Sequence, residues 1–153
     1  MGAANYEPAG LRGSMLCLGI FVDTGGKDTY PPTVPAAGNG KCWTHPLPRG
    51  APPGTPVYGV GMLLDDRGND RYAGVWYVQG SAAHFGVGVL VDGAGNDRYR
   101  ATMNMAQGAG HDFGLGFLLD RAGDDRYQAP SLSLGAGNAN GIGIFWDVVG
   151  DDT

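Results

Sequence analysis

Glutamate and lysine are almost missing from this chain. Of its 15 acidic residues one is a glutamate, Glu7, and the other 14 are aspartates. Lysine occurs twice, at Lys27 and Lys41. Glu and Lys favour helices, whereas Gly, Pro and Asp disfavour them, and the 153 residues include 29 Gly and 10 Pro. That balance excludes a helical bundle. A net charge of −5 excludes the basic footprint of a nucleic-acid binder. No apolar run approaches the roughly 18 residues of a membrane-spanning helix. The stretch Met1 to Gly10 lacks the basic and apolar segments of a secretory signal. The two cysteines, Cys17 and Cys42, leave open one disulfide or two free thiols.

What the chain has in place of helix formers is a repeat. Five segments align without gaps: GIFVDTGGKDTY (19–30), GMLLDDRGNDRY (61–72), GVLVDGAGNDRY (88–99), GFLLDRAGDDRY (116–127) and GIFWDVVGDDT (143–153). The shared pattern is G-h-h-h-D-x-x-G-x-D-x-Y, with h apolar. The first aspartates, Asp23, Asp65, Asp92, Asp120 and Asp147, are spaced by 42, 27, 28 and 27 residues. The second aspartates are Asp28, Asp70, Asp97, Asp125 and Asp152, and Tyr30, Tyr72, Tyr99 and Tyr127 close four copies. The extra residue of the 28-residue copy falls between Tyr99 and Gly108, and the 15 extra residues of the long copy fall after Tyr30. Both departures enter at one place in the repeat, as insertions into a solenoid do.

A repeat of this length indicates stacked units. Short apolar runs, many glycines and no helical period give short strands and tight corners. The expected fold is therefore all-β: a parallel β-solenoid of about five coils with 27–28 residues per coil. A meander or propeller is the alternative, although a blade usually takes about 40 residues. Residues 1–153 are read as one solenoid domain with residues 31–57 as an inserted loop. That stretch holds eight of the ten prolines, and proline cannot donate to a sheet ladder. The loop is expected to pack apolar content, including Trp43, on the body.

In a stack the repeated residues form rows, with the tyrosines as an aromatic ladder and the aspartates as two carboxylate ladders. Carboxylates at about 4.8 Å spacing repel by on the order of 1–4 kcal/mol per neighbouring pair. Calcium, which takes six to eight hard oxygens, is one means of neutralising them. The adjacent Arg71, Arg98 and Arg126 are another. On the calcium reading the ligands are Asp23, Asp28, Asp65, Asp70, Asp92, Asp97, Asp120, Asp125, Asp147 and Asp152, with Lys27 intruding at the first copy.

DGAGNDRYR (92–100) resembles the calcium-binding nonapeptide of RTX β-rolls, G-G-x-G-x-D-x-U-x. Gly93, Gly95, Asp97 and Tyr99 stand at matching positions, and Asp92 replaces the first glycine. Asp66, Arg121 and Val148 depart from the motif in other copies. In the RTX family such turns hold calcium through the Asp carboxylate and backbone carbonyls. There the motif recurs every nine residues and here once per coil. The full repeat also looks like that of bacterial β-solenoid proteins with GNDxY-type coils, a resemblance that implies a fold and no activity.

No P-loop, HExxH or paired Cys-x-x-Cys is present. His84 aligns with Asp112 one coil later, which places a hydrogen-bonded pair on adjacent rungs, with no serine or cysteine at an obvious nucleophile position. The chain reads as a non-catalytic structural or interaction module, calcium-stabilised, from an exported or surface protein. The alternative is a carbohydrate-active solenoid enzyme of lyase or epimerase type, against which two lysines weigh. An ice-binding solenoid needs threonine rows, and Thr29 and Thr153 are too few.

All three residues before each first Asp are apolar. Since strand residues alternate sides, one row must face outward. If that is the middle row, the expected interface is Phe21, Leu63, Leu90, Leu118 and Phe145; if it is the flanking pair, the exposed area is larger. Either way a homo-oligomer, or end-to-end and lateral assembly, is expected. The repeat ends at Asp152-Thr153 without a polar cap, and uncapped solenoid ends present unpaired backbone.

Overall fold

The computed structural model describes residues 4–5, 17–31, 40–41 and 59–153. Among the described residues there is no helix, and the strands form three parallel sheets. The large sheet stacks β2 (Cys17–Asp23), β5 (Gly59–Asp65), β8 (Val87–Asp92), β11 (Leu115–Asp120) and β14 (Ile142–Asp147). The second sheet stacks β3 (Thr29–Tyr30), β6 (Arg71–Gly74), β9 (Arg98–Ala101) and β12 (Arg126–Gln128). The third comprises two-residue strands: β1 (Ala4–Asn5), β4 (Gly40–Lys41), β7 (Ala82–Ala83), β10 (Gly110–His111) and β13 (Gly137–Asn138). The chain visits the large, second and third sheets in turn and then begins the next coil, which makes a parallel β-solenoid. Three circuits are described without a break (β5–β7, β8–β10 and β11–β13); β2 and β3 precede them and β14 follows.

The register follows the repeat. Asp23, Asp65, Asp92, Asp120 and Asp147 are successive partners across the large sheet. Tyr30, Tyr72, Tyr99 and Tyr127 are partners across the second. The extra residue is absorbed between the pairs Gly74↔Ala101 and Val78↔Ala106, within the interval the alignment gave.

Inside and outside are set by the alternation of strand side chains. Along β5, Gly59, Gly61, Leu63 and Asp65 point inward, and Val60, Met62 and Leu64 outward. Leu63, Leu90 and Leu118 are fully buried, and Phe21 and Phe145 pack against them. This corrects the expected interface: the row Phe21, Leu63, Leu90, Leu118 and Phe145 is core, because it shares strand parity with the aspartates that face the tyrosines. The flanking residues form the outer face. The tyrosine rings stack with centroids 4.7–4.9 Å apart and nearly parallel planes. Phe21 and Phe145 close the two ends of the stack edge-on.

Opposite the tyrosines the coil is pinched. A Cβ on Gly116 would lie 2.2 Å from the carbonyl oxygen of Ala109. Here Phe117 N–H donates to the Gly80 carbonyl and Ile144 N–H to that of Gly108, at 2.8 and 3.0 Å. Gly80 and Gly108 have φ of +76°, a conformation glycine adopts at little cost. Residues 32–39 and 42–58, and so Trp43 and Cys42, lie outside the described residues, as does the side chain of Cys17. The expectations for the loop and for the cysteines fall there.

Candidate cation row in the solenoid interior

The segment D-x-x-G-x-D-x-Y is the corner between the large and second sheets. The first Asp ends a large-sheet strand, the glycine turns the chain, and the second Asp and the Tyr enter the second sheet. All three side chains point inward. Asp70, Asp92, Asp97 and Asp120 are each at most 1% exposed.

Each tyrosine hydroxyl sits between two first-Asp carboxylates, its own coil's and that of an adjacent coil. Tyr72 reaches Oδ2 of Asp65 and of Asp92 at 2.9 and 2.6 Å. Tyr99 reaches Asp92 and Asp120 at 2.9 and 2.8 Å, and Tyr30 reaches Asp23 and Asp65 at 3.0 and 2.8 Å. A phenol has one proton to donate. It satisfies one carboxylate, and the second contact requires a proton or a cation on the other. Burial and the neighbouring carboxylates push the hydroxyls of Tyr30, Tyr72, Tyr99 and Tyr127 far above the usual phenol range, so they stay protonated.

The second aspartates form their own ladder. The Asp70 N–H donates to Asp97 Oδ1 at 2.5 Å, Asp97 N–H to Asp125 Oδ1 at 2.6 Å, and Asp125 N–H to Asp152 Oδ1 at 2.8 Å. One oxygen of each residue is thereby used. The others are not: Oδ1 of Asp65, Asp92 and Asp120, and Oδ2 of Asp70, Asp97 and Asp125, are buried without a hydrogen-bond partner. Single oxygens of Asp65, Asp70 and Asp92 lie within 4.8 Å of one another, as do those of Asp97, Asp120 and Asp125, and of Asp125, Asp147 and Asp152. Among the described residues Asp23 and Asp28 join no such group. Asp23 is partly exposed. The N–H of Gly25, and then the Tyr30 hydroxyl, hold its carboxyl below the usual range.

The electrostatics mark the row as under-neutralised. Burial comes first as the cause, followed among the raising influences by nearby carboxylates. Together they push Asp92 up to about 6, Asp125 to about 7 and Asp97 to about 8. Burial also raises Asp70 and Asp147. The arginine alternative is corrected by the structure. Arg71, Arg98 and Arg126 stand between two inward residues, on the outer side of the strand, and are exposed. Among the described residues none makes an ion pair with the row; the two pairs found are Arg67–Asp66 and His84–Asp112.

The site therefore offers hard oxygen donors. The corner glycines pack directly against these carboxylates: a Cβ on Gly68 would lie 2.3 Å from Asp70 Oδ2, and one on Gly95 2.7 Å from Asp97 Oδ2, so a side chain there would displace the aspartate. Carboxylate oxygens that converge within 4.8 Å in this way could hold a metal ion.

Two other rows escaped the sequence reading. At the turn, Asn96 N–H donates to Asn69 Oδ1, Asp124 N–H to Asn96 Oδ1, and Asp151 N–H to Asp124 Oδ1, at 2.9–3.2 Å. The Asx residue before four of the five second aspartates was the available signal; Lys27 stands there in the first copy. Gln79 and Gln107 are buried, and each donates to a carbonyl of its own coil and one of the next: Gln79 to Tyr72 and Arg100, Gln107 to Tyr99 and Gln128. Their signal was the Gln-Gly dipeptide at matching positions. The expected pair on adjacent rungs is present, with His84 Nδ1 and Asp112 Oδ2 at 2.7 Å.

Comparison with protein-family models, with curated proteins and with solved structures finds no match.

Proposed function

We propose that this chain is a non-catalytic structural or interaction module, a β-solenoid whose interior aspartate row binds calcium and is stabilised by it. The observation that carries the reading is the set of buried carboxylate oxygens without partners, repeated in each central coil, among aspartates that gather in threes within 4.8 Å. An unpaired buried carboxylate is expensive, and a divalent cation between three of them turns that cost into binding energy. Calcium fits better than magnesium, because it accepts irregular sets of carboxylate and carbonyl oxygens and sheds water more readily. The row lies in the packed interior, where a substrate cannot reach it, which favours a scaffold over catalysis. Extracellular calcium modules work at about 10⁻⁴–10⁻³ M, and a location outside the cell or at its surface suits such a site. Stacking end to end or side to side into a larger array completes the proposal.

The direct test is metal content and binding. Stripped protein dialysed to equilibrium against millimolar calcium should hold, in excess of the free concentration, close to one ion per group of three aspartates, and isothermal titration should show the same stoichiometry. Stripped, folded protein that takes up no calcium at millimolar concentration would overturn the proposal.

A further inference from the structure

We infer that the outer face of the large sheet is the docking surface for a second copy of this chain. The inference rests on the scaffold reading and specifies how copies meet. Every outward position of β2, β5, β8, β11 and β14 is apolar, from Leu18, Ile20 and Val22 at one end to Ile142, Ile144 and Trp146 at the other. Those six end residues are 40–60% exposed. The three strands between them present the same three outward columns, partly shielded by their neighbours. No charged or polar side chain interrupts the field.

Its size distinguishes it from scattered surface hydrophobes. Five strands at about 4.8 Å and six residues at about 3.3 Å give a footprint of roughly 20 by 20 Å. Relief of the side chains adds to that. Two such faces brought together remove on the order of 1,000 Å² or more from water, which is what a specific interface needs. Strands apolar on both sides are normally covered on both sides, and a patch of this extent on a lone monomer marks an interface.

The chemistry selects the occupant. A partner read by charge finds nothing on this face. A lipid surface is a poor match, since interfacial membrane binders rim their apolar face with Lys and Arg, and here 10 Lys and Arg are outnumbered by 15 acidic residues, for a net charge of −5. A second copy offers the same in-register lattice of side-chain rows, so ridges of one face fit grooves of the other at the roughly 10 Å spacing of packed sheets.

Sedimentation velocity of the full chain from about 1 to 100 µM tests this, with calcium and with EDTA under conditions where circular dichroism shows the coil folded. The expected result is a dimer in both, so that failure of the calcium reading leaves the dimer standing. Val89→Lys with Phe117→Lys, at the centre of the face, should give a folded monomer. Should that variant not fold, Val89→Thr with Phe117→Thr keeps β-formers in place and should weaken the dimer at least about tenfold. A folded wild-type chain that stays monomeric at about 100 µM, because a segment of its own covers the face, would overturn the inference. So would a dimer indifferent to a folded face variant, or a monomer that cosediments with phosphatidylcholine vesicles instead of pairing.

Discussion

At Tyr99 one hydroxyl lies within hydrogen-bond distance of two buried carboxylates, and its single proton cannot serve both. Tyr99→Phe keeps the ring stack and deletes that proton, so the cost should fall on the carboxylates alone, about 1–3 kcal/mol, read as a lowered denaturant midpoint at unchanged m-value. Asp97 separates the proton and cation occupants of the row. Asn at that position keeps an oxygen for the Asp70 N–H and mimics the protonated acid. Asp97→Asn should therefore leave the melting temperature in EDTA nearly unchanged and diminish the calcium response. Asp97→Ala removes the acceptor as well and should cost about 1–3 kcal/mol in either condition. Equal melting curves for Asp97→Asn and Asp97→Ala in EDTA would count against the ladder. The aspartate rows were legible in the sequence because stacking identical residues is what a gap-free repeat does. Their direction was not. Charged residues are almost never fully buried unless paired, and the tyrosine seven residues on, which supplies the shared proton, has no meaning in the sequence until the corner is folded.

At the level of the strand, the ambiguity was parity. Ile20-Phe21-Val22 and its four counterparts are apolar at every position, so alternation alone does not say which side faces in. Leu63 shares its side with Asp65, and Met62 with Leu64; the row with the aspartates is the buried one. Leu90→Ala should accordingly cost about 2–5 kcal/mol as a core truncation, whereas Val89→Thr should change monomer stability by less than about 1 kcal/mol. A larger loss at Val89 than at Leu90 in urea denaturation would reverse the assignment. The corner is equally exacting. A Cβ on Gly95 would meet the Gly68 carbonyl oxygen at 1.7 Å, and since that atom is backbone of the adjacent coil, relief requires the coils to part. Gly95→Ala should cost more than about 4 kcal/mol, measured by the same denaturation.

Across the whole molecule the rows act together, and pH is the handle on them. Burial and neighbouring carboxylates hold Asp92 at about 6, Asp125 at about 7 and Asp97 at about 8, above the roughly 3.9 of an unfolded aspartate. Folding of the metal-free chain thus takes up protons. The stability that these groups contribute is complete below about pH 4 and is lost as pH rises through 6 to 8. Calcium competes with those protons for the same oxygens, so its effect should grow over the same window. The measurement that bears most directly on the account is the melting temperature in millimolar calcium and in EDTA, at pH 5 and at pH 8. The account predicts that in EDTA the protein melts lower at pH 8 than at pH 5. Calcium should raise the melting temperature by on the order of 3–6 °C at pH 8, as expected for ligand near tenfold above its dissociation constant, and by much less at pH 5. Identical melting curves with calcium and with EDTA at pH 8 would contradict it.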